Sequence, residues 1–96
     1  MIININKFGT ILTSRQLGKE ALAAFLPSLD SASDDEDVCI DFEGVDVFSP
    51  SWGDEFLRPL CEKFGSRLVL RRSQNLSVVA TLETLEKVNN IKFNVK

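Results

Sequence analysis

Ninety-six residues, 44% hydrophobic and 26% charged, suit one small globular domain and leave little room for a second. Eleven Lys and Arg against 14 Asp and Glu give a net charge of −3, the reverse of the basic stripe that a phosphate-backbone binder carries. No apolar run reaches the ~18–20 residues of a membrane helix, and the start, MIININKFG, has no basic segment leading into an apolar one. The chain contains no His and no Tyr. That removes Ser-His and Cys-His nucleophile systems, His-bearing zinc sites and the commonest general base. The expectation is a cytoplasmic binding module that uses no metal and no cofactor.

In chain order, Ile3 and Ile5 alternate with Asn4 and Asn6, the period-two pattern of a half-buried strand. Gly9 marks a turn, so the spacing predicts a hairpin of residues 2–7 and 10–12. Thr13 or Ser14 offers an oxygen to cap a first helix. Its apolar stripe, Leu17, Ala21, Ala24 and Phe25, is widened by Leu22, Leu26 and Leu29, with Arg15, Gln16, Lys19 and Glu20 opposite. Pro27 predicts its end or a bend. Residues 30–37, DSASDDED, read as a solvated acidic loop, because the calcium-loop spacing with its central glycine and terminal glutamate is absent.

The run Val38–Phe42 is short, apolar and β-prone, which suits a central parallel strand covered on both faces. Asp41 inside it needs a partner or water. Ser49 can cap a second helix with Pro50 at its first position, and Ser51 with Asp54 is an alternative capping pair. Trp52, Phe56, Leu60 and Phe64 then recur at four-residue spacing. Pro59 predicts a kink and Gly65 a stop. Arg67–Arg71 is the next strand, and the strand–helix–strand unit implies a parallel crossover. Asn75 or Ser77 caps a third helix with Val78, Val79, Leu82, Leu85 and Val88 on its apolar face and Asn89-Asn90 at its close. Ile91, Phe93 and Val95 alternate as an edge strand. Cys39 and Cys61 read as small buried hydrophobes. The order ββαβαβαβ predicts an α/β sandwich, a mixed sheet of four to five strands with about three helices.

The segment Ile40-Asp41-Phe42-Glu43-Gly44-Val45 through Ser51-Trp52-Gly53-Asp54-Glu55-Phe56-Leu57-Arg58 resembles the STAS-like family of unknown function. Members of that family show a D-F-x-G-V stretch, a small-residue turn, an aromatic and a small residue, Asp-Glu, apolar residues and Arg. Ser14-Arg15 and Asn75 fit the same pattern, and the resemblance spans nearly the whole chain. More distantly the sequence is similar to STAS domains proper, the anti-sigma factor antagonists and the cytoplasmic tails of sulfate transporters. The resemblance implies a single STAS-like domain over residues 1–96. Antagonists of that type bind a kinase that is also an anti-sigma factor, and a phosphorylated serine in an Asp-Ser-Ser-Gly turn switches them. Aligned on Asp41 and Gly44, that turn falls on Ser49-Pro50-Ser51-Trp52. Pro50 therefore occupies the phosphoacceptor position, and only a shift of one residue would bring in Ser49 or Ser51. A phosphate there would lie beside Asp54 and Glu55, which repel it.

These readings lead to a non-enzymatic regulatory module that docks a bacterial signalling protein such as a histidine-kinase-like ATPase. The candidate surface is the turn 46–55 with the start of the first helix: Arg15, Ser49, Ser51, Asp54, Glu55 and Arg58, with Ser49 and Ser51 as candidate phosphorylation sites. Asp54 and Glu55 are read as a structural pair reaching Arg15 or Arg58, since adjacent helix residues point roughly 100° apart and do not readily form a catalytic dyad. Trp52 is assigned to the core. A small-molecule sensor with its ligand beyond the carboxyl ends of the parallel strands is the alternative. An enzyme built on Asp41, Asp54 and Glu55 is the weakest of the three.

Overall fold

The computed structural model describes residues 1–96. The chain runs β1 (Ile2–Asn4), a 3-10 turn (Ile5–Phe8), β2 (Ile11–Leu12), α1 (Arg15–Leu29), β3 (Val38–Asp41), β4 (Val47–Phe48), α2 (Pro50–Phe64), a second 3-10 turn (Gly65–Arg67), β5 (Leu68–Leu70), α3 (Leu76–Asn89) and β6 (Asn94–Val95). It is an α/β domain with three helices, none long and apolar enough to cross a membrane. One sheet has the order β1-β3-β5-β6, and β2 pairs with β4 in a separate ribbon. Every pairing is parallel, including β3 with β5 across α2, so the sheet is not mixed.

The expected hairpin of 2–7 and 10–12 does not form. Ile5 leaves the strand and is fully buried within the 3-10 turn. Gly9, at φ +130°, donates its amide to the Asn6 carbonyl, and β2 departs to pair with β4 instead of β1. Ile3 and Ile5 both reach the core, but from two different local conformations. β4 is an added strand: only two residues long, it sits inside the expected turn 46–55.

The sheet is built in one direction, each new strand added on the same side of the last. Right-handed crossovers then gather every helix on one face. Burial follows this rule. Ile3, Val38, Ile40, Leu68 and Leu70 belong to the main core cluster, whereas in the neighbouring register row Ile2–Cys39–Val69 only Val69 is buried, at 6% exposure. Ile2 is 53% exposed, and Cys39 and Asp41 are half-buried. β3 is therefore fully covered on one face and only partly on the other, and Asp41 keeps access to water and to Arg71. Cys61 is also half-buried rather than buried; burial, helped by Glu62, pushes its thiol pKa up, away from the reactive thiolate.

Ser14 caps α1 by accepting from the Leu17 amide at 3.2 Å. The buried stripe of α1 is Gly18, Ala21, Phe25 and Leu29, while Leu17 is 57% exposed and Ala24 and Leu26 also face outward. The expected stripe is thus corrected at two positions: Gly18 replaces Leu17, and Leu29 rather than Ala24 completes it. The helix ends at Leu29, within a turn of Pro27. α2 buries Trp52, Gly53, Phe56, Leu57, Leu60 and Phe64 and continues through Pro59 to Phe64. Pro59 and Glu55 lie on the half-exposed side, where the carbonyl that loses its partner can be hydrated. In α3, Val78, Thr81 and Leu85 face inward, while Val79 and Val88 are exposed. Thr81 displaces them because its hydroxyl donates to the Phe48 carbonyl at 2.8 Å, so a polar side chain is buried without an unpaired group. Ile91 and Phe93 precede the final strand, which is only Asn94–Val95.

The core is organised by aromatic rings. Trp52 stacks on Phe56 at 4.9 Å and meets the edge of Phe48 at 5.8 Å. Phe48 in turn touches Phe42, and Phe8 from the 3-10 turn closes over Phe25, Trp52 and Phe56. α2 is thus clamped between β4 and the segment that follows β1.

Candidate functional site

Three polar anchors fix the amino end of α2. Ser49 accepts from the Trp52 amide and donates its hydroxyl to the Thr13 carbonyl at 3.0 Å, while its amide donates to the Leu12 carbonyl. The Phe48 amide donates to Ser77 Oγ at 3.1 Å. Asn75 donates to the carbonyls of Val45 and Asp46 and accepts from the amides of Ser77 and Val78, so one carboxamide both caps α3 and holds the turn before β4. The end these anchors position is open: Pro50 is exposed and Ser51 half-buried, with Trp52 and Gly53 behind them in the core. Ser49 is the cap, and the Ser51–Asp54 alternative is not used.

Four of the six residues read from the sequence meet in one ion network. Arg15 Nη1 lies 3.1 Å from Asp54 Oδ2 and 2.9 Å from Glu55 Oε1. Arg58 Nε lies 3.2 Å from Asp54 Oδ1, which also accepts from Asn89 Nδ2 at 3.3 Å. The adjacent acids diverge from α2 yet are gathered by one guanidinium from α1, which locks the start of α1 against the first turns of α2. Ser49 and Ser51 take no part: the Ser49 hydroxyl is spent on Thr13, and Ser51 bonds none of these residues. Asn89 was not singled out from the sequence, because its contact with Asp54 depends on how α3 packs on α2.

Burial alone pushes the Asp54 carboxyl up, but the hydrogen bonds from Arg15 and Asn89 and the charge of Arg58 outweigh it and hold the pKa below the usual carboxylate range. A depressed folded pKa means that ionised Asp54 favours the native state. That contribution is complete above the unfolded value of about 3.9 and is lost as the pH falls through the folded value. Carboxyl-detected NMR titration should find the Asp54 midpoint below that of an exposed aspartate, and Arg15→Met should raise it. A midpoint unmoved by Arg15→Met would remove Arg15 as the cause.

The same end of the molecule carries apolar side chains that no helix covers. Ile11 and Val47 are register partners in the ribbon and are 64% and 41% exposed, and Leu76, the first residue of α3, is 82% exposed. Leu76 adjoins Ser77, whose Oγ accepts from the amide of Phe48 in β4, the residue between Val47 and the Ser49 cap of α2. The sequence assigned Ile11 to a hairpin and Val47 to a turn; the only legible signal was a leucine directly after a capping asparagine.

A second feature lies across the carboxyl ends of β3 and β5. An open, mainly polar pocket of about 600 Å³ is lined by Asp41, Phe42, Glu43, Arg71, Arg72, Ser73 and Gln74. Asp41 accepts from the Glu43 amide at 3.0 Å and from Arg71 Nη1 at 3.1 Å, which provides the partner its place in β3 demanded. No group of three or more Cys, Asp or Glu side chains is placed to hold a metal ion.

Fold and site together define a small α/β domain with one helix layer on a parallel sheet and an open helix start at one end. The family model described as STAS-like domain of unknown function (DUF4325) matches residues 18–75, more than half of the chain, and the chain belongs to this family. The match runs from the first turn of α1 to the cap of α3 and so includes all the residues of the ion network except Arg15 and Asn89. No curated protein and no solved structure matches it.

Proposed function

We propose that the domain is a non-enzymatic, cytoplasmic protein-interaction module that docks a bacterial signalling partner, a histidine-kinase-like ATPase, through the open start of α2. The observation that carries this reading is the exposure of Ile11, Val47 and Leu76 on the ribbon and the helix that hydrogen bonds tie to the α2 start. A concentration of uncovered apolar side chains on a small domain is the mark of an interaction site. The Arg15–Asp54–Glu55–Arg58 network beside it supplies a rigid charged rim, which sets register and encounter rate more than affinity. Of the two serines, Ser51 is the one with an uncommitted hydroxyl, so a phosphate added there would place negative charge beside Asp54 and Glu55 and oppose docking.

The test is capture of a histidine-kinase-like ATPase from bacterial lysate by the immobilised domain. The double variant Ile11→Ser/Leu76→Ser should retain roughly tenfold less, the loss of two central apolar anchors, with an unchanged circular dichroism spectrum. Asp54→Ala/Arg58→Ala should weaken capture in a salt-dependent way. Equal retention by folded variants would exclude this surface. A second reading, a small ligand at the carboxyl ends of β3 and β5, is favoured by the polar pocket there.

A further inference from the structure

The pocket across β3 and β5 is the largest in the molecule, and two of its charged side chains are left unpaired. Four charged side chains line it. Asp41 and Arg71 neutralise each other at 3.1 Å. Glu43, just past β3, and Arg72, just past β5, are exposed, and neither side chain has an ionic or hydrogen-bonding partner within the protein. Arg72 stands apart from the other arginines. Arg15 and Arg58 are held by Asp54, Arg67 by the carbonyls of Ser33 and Glu36, and Arg71 by Asp41. The backbone holds Arg72 in place, since its amide donates to the Lys96 carbonyl at 2.9 Å.

The rest of the lining adds neutral donors on the arginine side. The backbone amides of Ser73 and Gln74 have no acceptor within the protein, and the Gln74 carboxamide is unengaged. Ser73 Oγ accepts from the Asn75 amide at 3.1 Å, which leaves its proton to donate. The first amides of α3 are already taken by Asn75, so the donors belong to the loop and not to the helix end. Phe42 is the one apolar wall. The pocket therefore offers a cation with neutral donors on one strand end and an acceptor-only carboxylate on the next. A guanidinium and amides suit a carboxylate, and an unpaired glutamate suits an ammonium.

We infer that this pocket takes a small zwitterion of the amino-acid class, its carboxylate on Arg72, Ser73 and Gln74 and its ammonium on Glu43. The inference rests on the second reading above and names its ligand. A phosphate ester fits less well, because Glu43 repels a second negative charge.

The test uses amide chemical shifts of the intact domain at constant ionic strength. The probes are glycine, β-alanine, γ-aminobutyrate and 5-aminovalerate, with acetate and methylammonium as single-charge controls and inorganic phosphate as the oxyanion control. At least one zwitterion should give saturable shifts at Glu43 and at residues 72–74, and either Arg72→Gln or Glu43→Gln should weaken it by about tenfold, the loss of one charge-assisted contact. Both variants alter exposed side chains and should leave the melting temperature unchanged. Acetate or phosphate binding as well as any zwitterion would overturn the zwitterion inference while leaving a small-molecule site in place. Shifts no larger than those produced by sodium chloride, for every probe, would overturn both.

Discussion

Trp52→Ala is expected to cost about 3–5 kcal/mol of folding free energy, the range for emptying a large aromatic site in a core. Trp52 is only 1% exposed. It is not one ring among many but the junction of three elements: it stacks on Phe56 within α2, meets Phe48 of β4 and is covered by Phe8. Neighbours on three sides belong to different segments and cannot all close on the void, so the cavity remains. A domain of this length has about 5–15 kcal/mol in total, and each kcal/mol is worth roughly 4–8 °C at this size. The melting temperature should fall by roughly 12–40 °C on that scale. Trp52→Phe retains the stack on Phe56 and should lose less than half as much. A Trp52→Ala protein melting within a few degrees of the parent would show that the ring is not central to the core.

Gly18→Ala should also destabilise, although alanine is the better helix former by about 1 kcal/mol. A β-carbon at Gly18 would lie 2.7 Å from the Trp52 carbonyl oxygen, 3.1 Å from its Cα and 3.2 Å from its Cγ. The nearest obstacle is backbone, which cannot rotate away as a flexible side chain would. α1 must lift from α2, and overpacking of this kind costs about 1–3 kcal/mol. Set against the gain in propensity, the net loss is up to about 2 kcal/mol, or a drop of up to roughly 15 °C. The displacement should also open the Arg15 contacts, so the Asp54 midpoint should rise in the same variant. Lys19→Ala, one position along on the exposed face, should do neither. A Gly18→Ala protein as stable as the parent would mean that the helices are not in contact at this point.

Much of this arrangement was legible in the sequence. The three helix starts were each narrowed to two candidates, and Ser14, Ser49 and Asn75 are the ones whose side-chain oxygens do the capping. The parallel pairing of β3 with β5 follows from two short apolar runs separated by a helix. Arg15, Asp54, Glu55 and Arg58 were gathered as one surface, and the fold brings them into bonding contact. The rest escaped for identifiable reasons. β2 and β4 are two residues each, too short for any periodicity to register, and their pairing joins segments 36 positions apart in register. Hydrophobicity favoured Leu17 over Gly18 for the buried stripe, whereas the close approach to Trp52 selects the residue without a side chain. The open sheet face is a property of strand order, which no single strand encodes. The exposed apolar group around α2 depends on all of these, so its residues were assigned to other elements.

The start of α2 as the docking face is tested most directly by hydrogen-exchange mapping of the captured complex against the free domain. Slowed exchange concentrated in residues 10–17, 46–51 and 74–77 is the predicted result. Protection confined to the acidic loop 30–37 and to β6, with those three segments unchanged, would contradict it.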